Sequence, residues 1–277
     1  MTTSTSKSTL FIAALCAAPF LGIVLLFEII PIIAVGINSL FKEGIFSFEN
    51  YLDLAGSTFQ RKAFLTSVEL SGATAAIGVI FALPLANVLR NTNRGLQEGV
   101  LTYSNIAANF TGFPLALAFV ILFGLNGSFT LLLIQAGVVD DLNIYSLGGL
   151  AMAYCYFQIP LGILLIFPSL QAITIDIEEA ALLVGASRFA FWRRIGLPIL
   201  APSLISAFIL LFSNAMGGYV MAFALVGGNA NLVTVHIGEL VIGDVFSDPN
   251  MADALAMVLV LTLVVPLICE QLILRRR

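Results

Sequence analysis

Residues 171–198 read QAITIDIEEAALLVGASRFAFWRRIGLP, the one long stretch of this chain with cytosolic character. Asp176, Glu178 and Glu179 place negative charge in the first turn of a helix, which suits the positive end of the helix dipole. Ala180, Ala181, Leu182 and Leu183 carry high helix propensity. Gly185 ends that helix or lets another backbone approach closely, since it has no side chain. Phe189, Phe191 and Trp192 open a second helix with an apolar face, among the cations Arg188, Arg193 and Arg194. Pro198 then breaks the chain before the next apolar run. The pattern predicts a short helix, a bend and a second helix, which a soluble partner can grip.

The flanks of this loop, and the chain as a whole, are lipid-soluble. Of 277 residues, 60% are hydrophobic and 10% are charged, and the mean hydropathy is +1.05. Soluble domains carry about 25% charge, and so few charges could not cover a water-soluble globule. Disordered chains are polar, so disorder is excluded as well. Outward from the loop, apolar runs at Leu147–Leu170 and Leu200–Phe223 are each long enough to cross a bilayer. Further spans are expected at Leu10–Val35, Phe64–Leu89, Val100–Leu125 and Met251–Leu274. Phe129–Val139 is apolar but short, and reads as an amphipathic helix at the interface. The predicted class is an all-α integral membrane protein with six transmembrane helices. It divides into a tail (1–9), a first helix and outer loop (10–63), a five-helix body (64–274) and a C-terminal end (275–277).

Lys and Arg set the orientation, since acidic residues contribute little to it. Lys7, Arg90, Arg94, Arg188, Arg193, Arg194 and Arg275, Arg276 and Arg277 fall on one side, nine in all. Lys42, Arg61 and Lys62 fall on the other. Both termini and loop 171–198 are therefore expected in the cytoplasm. Glu43, Glu49, Asp53, Asp140, Asp141, Asp244 and Asp248 make the outer face net negative.

Several function classes drop out. The 12 basic residues are scattered between spans and offer nucleic acid no continuous face. Cys16, Cys155 and Cys269 form no CxxC pair and read as small buried hydrophobes rather than a disulfide framework. With one histidine, His236, placed in an outer loop, and no HExxH, a metal site has no support. The first apolar run does not stop at a small-residue cleavage site, so it is not a signal peptide. No GxxxxGK[ST] occurs, so ATP hydrolysis would have to come from another polypeptide.

Within the loop, Glu179-Ala180-Ala181, three residues, Gly185, nine residues and Ile195-Gly196-Leu197-Pro198 match every specified position of EAA-x3-G-x9-I-x-L-P. This resembles the signature of permease subunits of binding-protein-dependent type I ABC importers. The resemblance implies a coupling helix between helices 4 and 5, seated in a cleft of the ATP-binding subunit. Glu178, Glu179, Ala180, Ala181, Gly185, Ile195, Leu197 and Pro198 would be the ATPase-coupling residues. Implied partners are two ATP-binding cassette subunits that hold ATP and Mg, a second permease of different sequence, and an external solute-binding protein. The implied location is the bacterial inner membrane. Weaker matches point to the spermidine/putrescine-like branch: Pro31 with Ser39-Leu40-Phe41, Phe48-Glu49-Asn50-Tyr51, Gly127 to Asp140, Gly217-Gly218 and Gly227-Gly228-Asn229. That branch implies a small solute such as a polyamine, aminoethylphosphonate or ferric iron.

Polar residues within spans are expensive and mark pathways by default. Asn105 and Asn109 share a helix face; Tyr154, Tyr156 and Gln158, and Ser213, Asn214 and Tyr219, complete the candidate solute path. Asn109 and Asn214 are expected to face the bundle interior, with hydrogen bonding between helices as the competing role for each residue. Glu28 lies deep in an apolar run, where it pairs with another subunit, stays neutral or meets solute, whereas Glu69 and Glu270 lie near span ends. The alternative reading is an autonomous secondary transporter or channel, which neighbouring ATPase and binding-protein genes would exclude.

Overall fold

Prolines and glycines inside the apolar runs cut them into more helices than there are membrane crossings. The computed structural model describes residues 7–42, 44–242 and 248–274. Glu43, Asp244, the first six residues and Arg275, Arg276 and Arg277 lie outside the described residues.

Helix α1 (Lys7–Val24) runs through a widened π-helical turn at Leu25–Ile29 into α2 (Ile30–Asn38). A short hairpin, β1 (Phe41–Lys42) and β2 (Ile45–Phe46), leads to α3 (Glu49–Gly56). Ser57 caps α4 (Thr58–Arg90) by accepting from the Gln60 N–H. At 33 residues, α4 is about 50 Å long and outreaches the hydrocarbon core. Asn93 caps α5 (Arg94–Asn109), and α6 (Phe113–Phe123) and α7 (Ser128–Gln135) follow. Helix α8 (Leu147–Leu170) precedes the loop helices α9 (Ile175–Leu183) and α10 (Arg188–Phe191). A second π-helical turn, Trp192–Gly196, joins α10 to α11 (Leu197–Met216). The chain ends with α12 (Tyr219–Leu225), α13 (Val233–Ile242) and α14 (Pro249–Leu274). Each π turn stops two residues short of a proline, Pro31 or Pro198. A proline cannot donate to the preceding turn and its ring crowds that turn, so a wider turn accommodates it.

Among the described residues six stretches are long and apolar enough to cross a membrane: Cys16–Asn38, Thr58–Arg90, Phe113–Gln135, Leu147–Leu170, Arg188–Met216 and Pro249–Leu272. Three expected boundaries need correction. The run Val100–Leu125 is not one helix, because Gly112 takes φ +70° and Pro114 starts a new helix, separating α5 from α6. The run Leu200–Phe223 begins earlier, at Arg188, and stops at Gly217-Gly218, leaving α12 as a separate short helix. The segment that holds His236 is helical rather than an outer loop. Its residues Val233–Ile242 form α13, which buries Val233 and Val235 against the bundle.

Small residues let α4, α8 and α11 approach closely at the centre. Ala75, Ala82 and Ala86 are wholly buried, and a Cβ on Gly162 would come 2.8 Å from that of Ala82. At the end away from loop 171–198 the core is Leu115, Phe119, Leu150, Phe157, Met221 and Leu225. Toward the loop it is Leu89, Ile166, Leu170, Ile173, Phe191 and Leu200. The first span stands apart: no described residue of its most apolar stretch is buried, and it meets the bundle through α2 against α14.

Candidate coupling site and solute path

Loop 171–198 forms the expected short helix and bend, but Pro198 does not break the chain: α10, the π turn and α11 run on as one apolar stretch from Arg188 to Met216. Thr174 stands at the N-cap of α9, whose first turn holds Asp176 and Glu178. At its other end Gly185 takes φ +86°, its N–H donates to the Leu182 carbonyl (2.9 Å), and the Ala186 N–H reaches back to Ala181 (3.1 Å). These two bonds close a Schellman cap, which needs the left-handed conformation glycine adopts freely. A Cβ at Gly185 would meet nothing within 4 Å, so within this chain the glycine serves the backbone rather than a close approach.

The motif residues divide into two sets. Ala181, Gly196 and the neighbouring Ile173 and Phe191 are buried, and Ile195 is half-buried, anchoring the loop in the core. Glu179, Ala180, Gly185, Leu197 and Pro198 are exposed. So are Leu183 (88%), Val184 (86%) and Phe189 (75%), an apolar tip that none of the described residues covers. Glu178 is held from within the chain: the Arg90 guanidinium, at the end of α4, lies 3.1 Å from its carboxylate. Arg90 also donates to the Ile173 carbonyl (2.8 Å) and sits 6.0 Å from the centre of the Trp192 ring. Sequence reasoning used Arg90 only as a topological marker. Its one visible signal is a cation in the last turn of a helix, which does not reveal partners 83 and 88 residues away. The Trp192 ring in turn covers Gly196, where a Cβ would come within 2.6 Å.

The polar span residues do not converge inside this chain. Asn105 and Asn109 lie on the exposed face of α5, where the Asn109 amide donates to the Asn105 carbonyl (2.8 Å) and side-chain oxygen (3.1 Å). Tyr156 is 38% exposed beside Phe119. Asn214 is also exposed, so Asn109 and Asn214 do not face the interior of this bundle as expected. The interior there is packed with alanine, glycine and larger apolar side chains. Gln158 is the exception and is wholly buried, its amide donating to Thr74 Oγ1 (3.3 Å) on α4. That is a bond between helices rather than a lining position. Tyr219 is half-buried, stacks on Phe223 and presses against Gly238. Tyr154 is buried and donates to the Gly218 carbonyl (3.0 Å), tying α8 to the break between α11 and α12.

Other expectations shift with burial. Cys16 and Cys269 are exposed on outer faces of their helices and Cys155 is half-buried, so the thiols are not core residues. Phe48–Tyr51 has a fastening role. Asn50 is buried and donates to the carbonyls of Ser39 (3.1 Å) and Phe41 (2.9 Å), and the Tyr51 hydroxyl bonds that of Ser39 (2.7 Å). His236 lies in α13 rather than in a loop, edge-on to Phe59. Among the described residues no group of three His, Cys, Asp or Glu could hold a metal ion. Glu28 is exposed in the first π turn, Glu69 is exposed on α4, and Glu270 accepts from the Ser206 hydroxyl.

This arrangement of broken spans around α4, α8 and α11, with a helical loop between the fourth and fifth spans, is the fold of ABC importer permeases. The chain superposes on a permease from a bacterial alginate ABC transporter, solved with an alginate pentasaccharide-bound periplasmic protein. The TM-score is 0.79 over 98% of this chain and 96% of that one, at 17% identity. A chain of the MetNI methionine ABC transporter, in inward-facing conformations, matches with a TM-score of 0.56, covering 78% and 94%, also at 17% identity. In sequence, the chain is similar to the trehalose/maltose transport system permease protein MalF of Thermococcus litoralis. The two are 29% identical over 248 residues, 85% of this chain and 82% of the relative. It is similar too to the molybdenum transport system permease protein ModB of Mycobacterium tuberculosis, 24% identical over 240 residues, 85% of each chain. No family model matches. The curated relatives are transport permeases, and this chain is a multi-pass membrane protein.

Proposed function

We propose that this chain is the membrane-spanning permease subunit of an ATP-driven importer, driven through α9. The observation that carries this reading is the apolar tip Leu183, Val184 and Phe189, held out by a capped helix whose other side is anchored in the core. Exposed apolar side chains in water mark a docking surface. An ATPase subunit grips this tip, ATP and Mg remain on that subunit, and closure of the ATPase pair draws the loops of two permeases together. The spans then open outward, accept solute from an external binding protein, and reset after hydrolysis. The protein sits in the inner membrane with its loop and termini in the cytoplasm. The second permease covers the exposed face of α5, so that Asn105, Asn109 and Tyr156 line the path between two chains.

The solute is the part of the resemblance that finds no support. Phe48–Tyr51 is one of several weak matches to the polyamine branch, and its Asn50 and Tyr51 fasten the segment after the first span to the end of that span. The relatives' names mention trehalose and maltose, molybdenum and sulfate. An exposed face of amides and phenols suits a solute held by neutral hydrogen bonds.

The test is co-purification of ATPase subunits with the tagged chain. Leu183→Asp with Val184→Asp should abolish association while the permease still inserts, because neither side chain touches the core. Undiminished association of the double variant would remove α9 as the docking element.

A further inference from the structure

Arg90 stands at the last position of α4, yet its contacts lie in three other segments. One guanidinium nitrogen donates to the Ile173 carbonyl, where the chain leaves α8. The other bonds Glu178 in the first turn of α9. The guanidinium carbon lies over the ring of Trp192, where α10 passes into the π turn before α11. Its own backbone carbonyl is gripped by the Gln97 amide of α5 (3.2 Å). The side chain is only 9% exposed, and such charge-assisted bonds out of water are strong and directional. Arginine suits the position because its planar fork can bridge a carbonyl and a carboxylate while its face meets an aromatic ring.

We infer that Arg90 is the positioning residue that transmits movement of α9 to the spans. This rests on the proposed docking of an ATPase at the loop. The docking tip and the transmitting contact are separate: Leu183, Val184 and Phe189 point to solvent, whereas Glu178 turns inward onto Arg90. Helix α4 packs along both α8 and α11 and reaches the outer segment, so a pull at its inner end acts along the whole bundle. The apolar anchors Phe191 and Ala181 hold the loop by non-directional packing, whereas the fork on Glu178 and Ile173 is directional.

The test uses the full complex in membranes, in a background lacking Cys16, Cys155 and Cys269. Asn109→Cys serves as reporter, and the readout is its labelling rate by a membrane-impermeant maleimide, with and without ATP plus vanadate. With Arg90 present, the rate should change about fivefold or more on nucleotide trapping. In Arg90→Ala the ATPase should still co-purify while the change collapses. Glu178→Gln, which leaves the other Arg90 contacts in place, should reduce it in the same direction. A full-sized change in Arg90→Ala overturns the inference, and so does loss of the ATPase from it. If Arg90→Ala fails to accumulate in the membrane, Glu178→Gln decides, and a full-sized change there overturns the inference. A complex with Arg90 intact that shows no change also overturns the inference, whereas one that binds no ATPase would sink the importer reading itself.

Discussion

Gly185 has no close neighbour in this chain, so its requirement is conformational. A residue with a Cβ pays roughly 1–2 kcal/mol for the left-handed region, and Asn tolerates it better than branched side chains do. Gly185→Val should therefore weaken ATPase co-purification about tenfold, whereas Gly185→Asn should leave it near normal. Equal losses from both would mean that space against the partner, not φ, is the constraint. Gly196 is the opposite case, a position limited by volume, since its Cβ would meet the Trp192 ring. Gly196→Ala should lower the thermal stability of the purified permease, overpacking costing about 1–3 kcal/mol. Adding Trp192→Leu should recover most of that loss. Failure of the second change to help would show that the backbone of the π turn, not the ring, excludes alanine.

Between α5 and α6 the chain turns at Gly112, and this break leaves Asn105 and Asn109 on the last turns of a helix whose outward face is free. Alanine at Asn109 or Asn214 should lower ATP-dependent uptake in reconstituted vesicles while leaving ATPase association intact. Uptake at the unsubstituted rate in both variants would take these residues off the path. Hydropathy showed the spans but not their breaks, because an apolar run averages across Gly112 and Gly217-Gly218 as though the backbone were continuous. Helix α13 escaped for another reason: Val233–Ile242 is short, and His236, Gly238 and Glu239 interrupt its apolar face. The helix and bend of loop 171–198 were legible because their determinants, from the acidic first turn to Gly185, lie within one local stretch. Arg90 was not, because it enters from a different span and only folding brings it to Glu178.

For the whole molecule, the nine-to-three imbalance of Lys and Arg predicts which side each loop occupies. Asp140 is exposed beyond α7, on the side assigned to the outside. In a cysteine-free background, Asp140→Cys should react with an impermeant maleimide added to intact cells. Reaction only after the membrane is opened would invert the topology.

The first span has a bearing on how the protein must be made. It brings Glu28 into the membrane on a face that none of the described residues covers. A carboxylate at the centre of a lipid-facing helix costs about 2.5–3.5 kcal/mol on insertion scales. Synthesised alone, the chain is an orphan carrying a mark of incompleteness that membrane quality control can read. Its accumulation should follow the supply of whatever subunit covers that helix, and Glu28→Leu should let the orphan persist longer in a pulse–chase measurement.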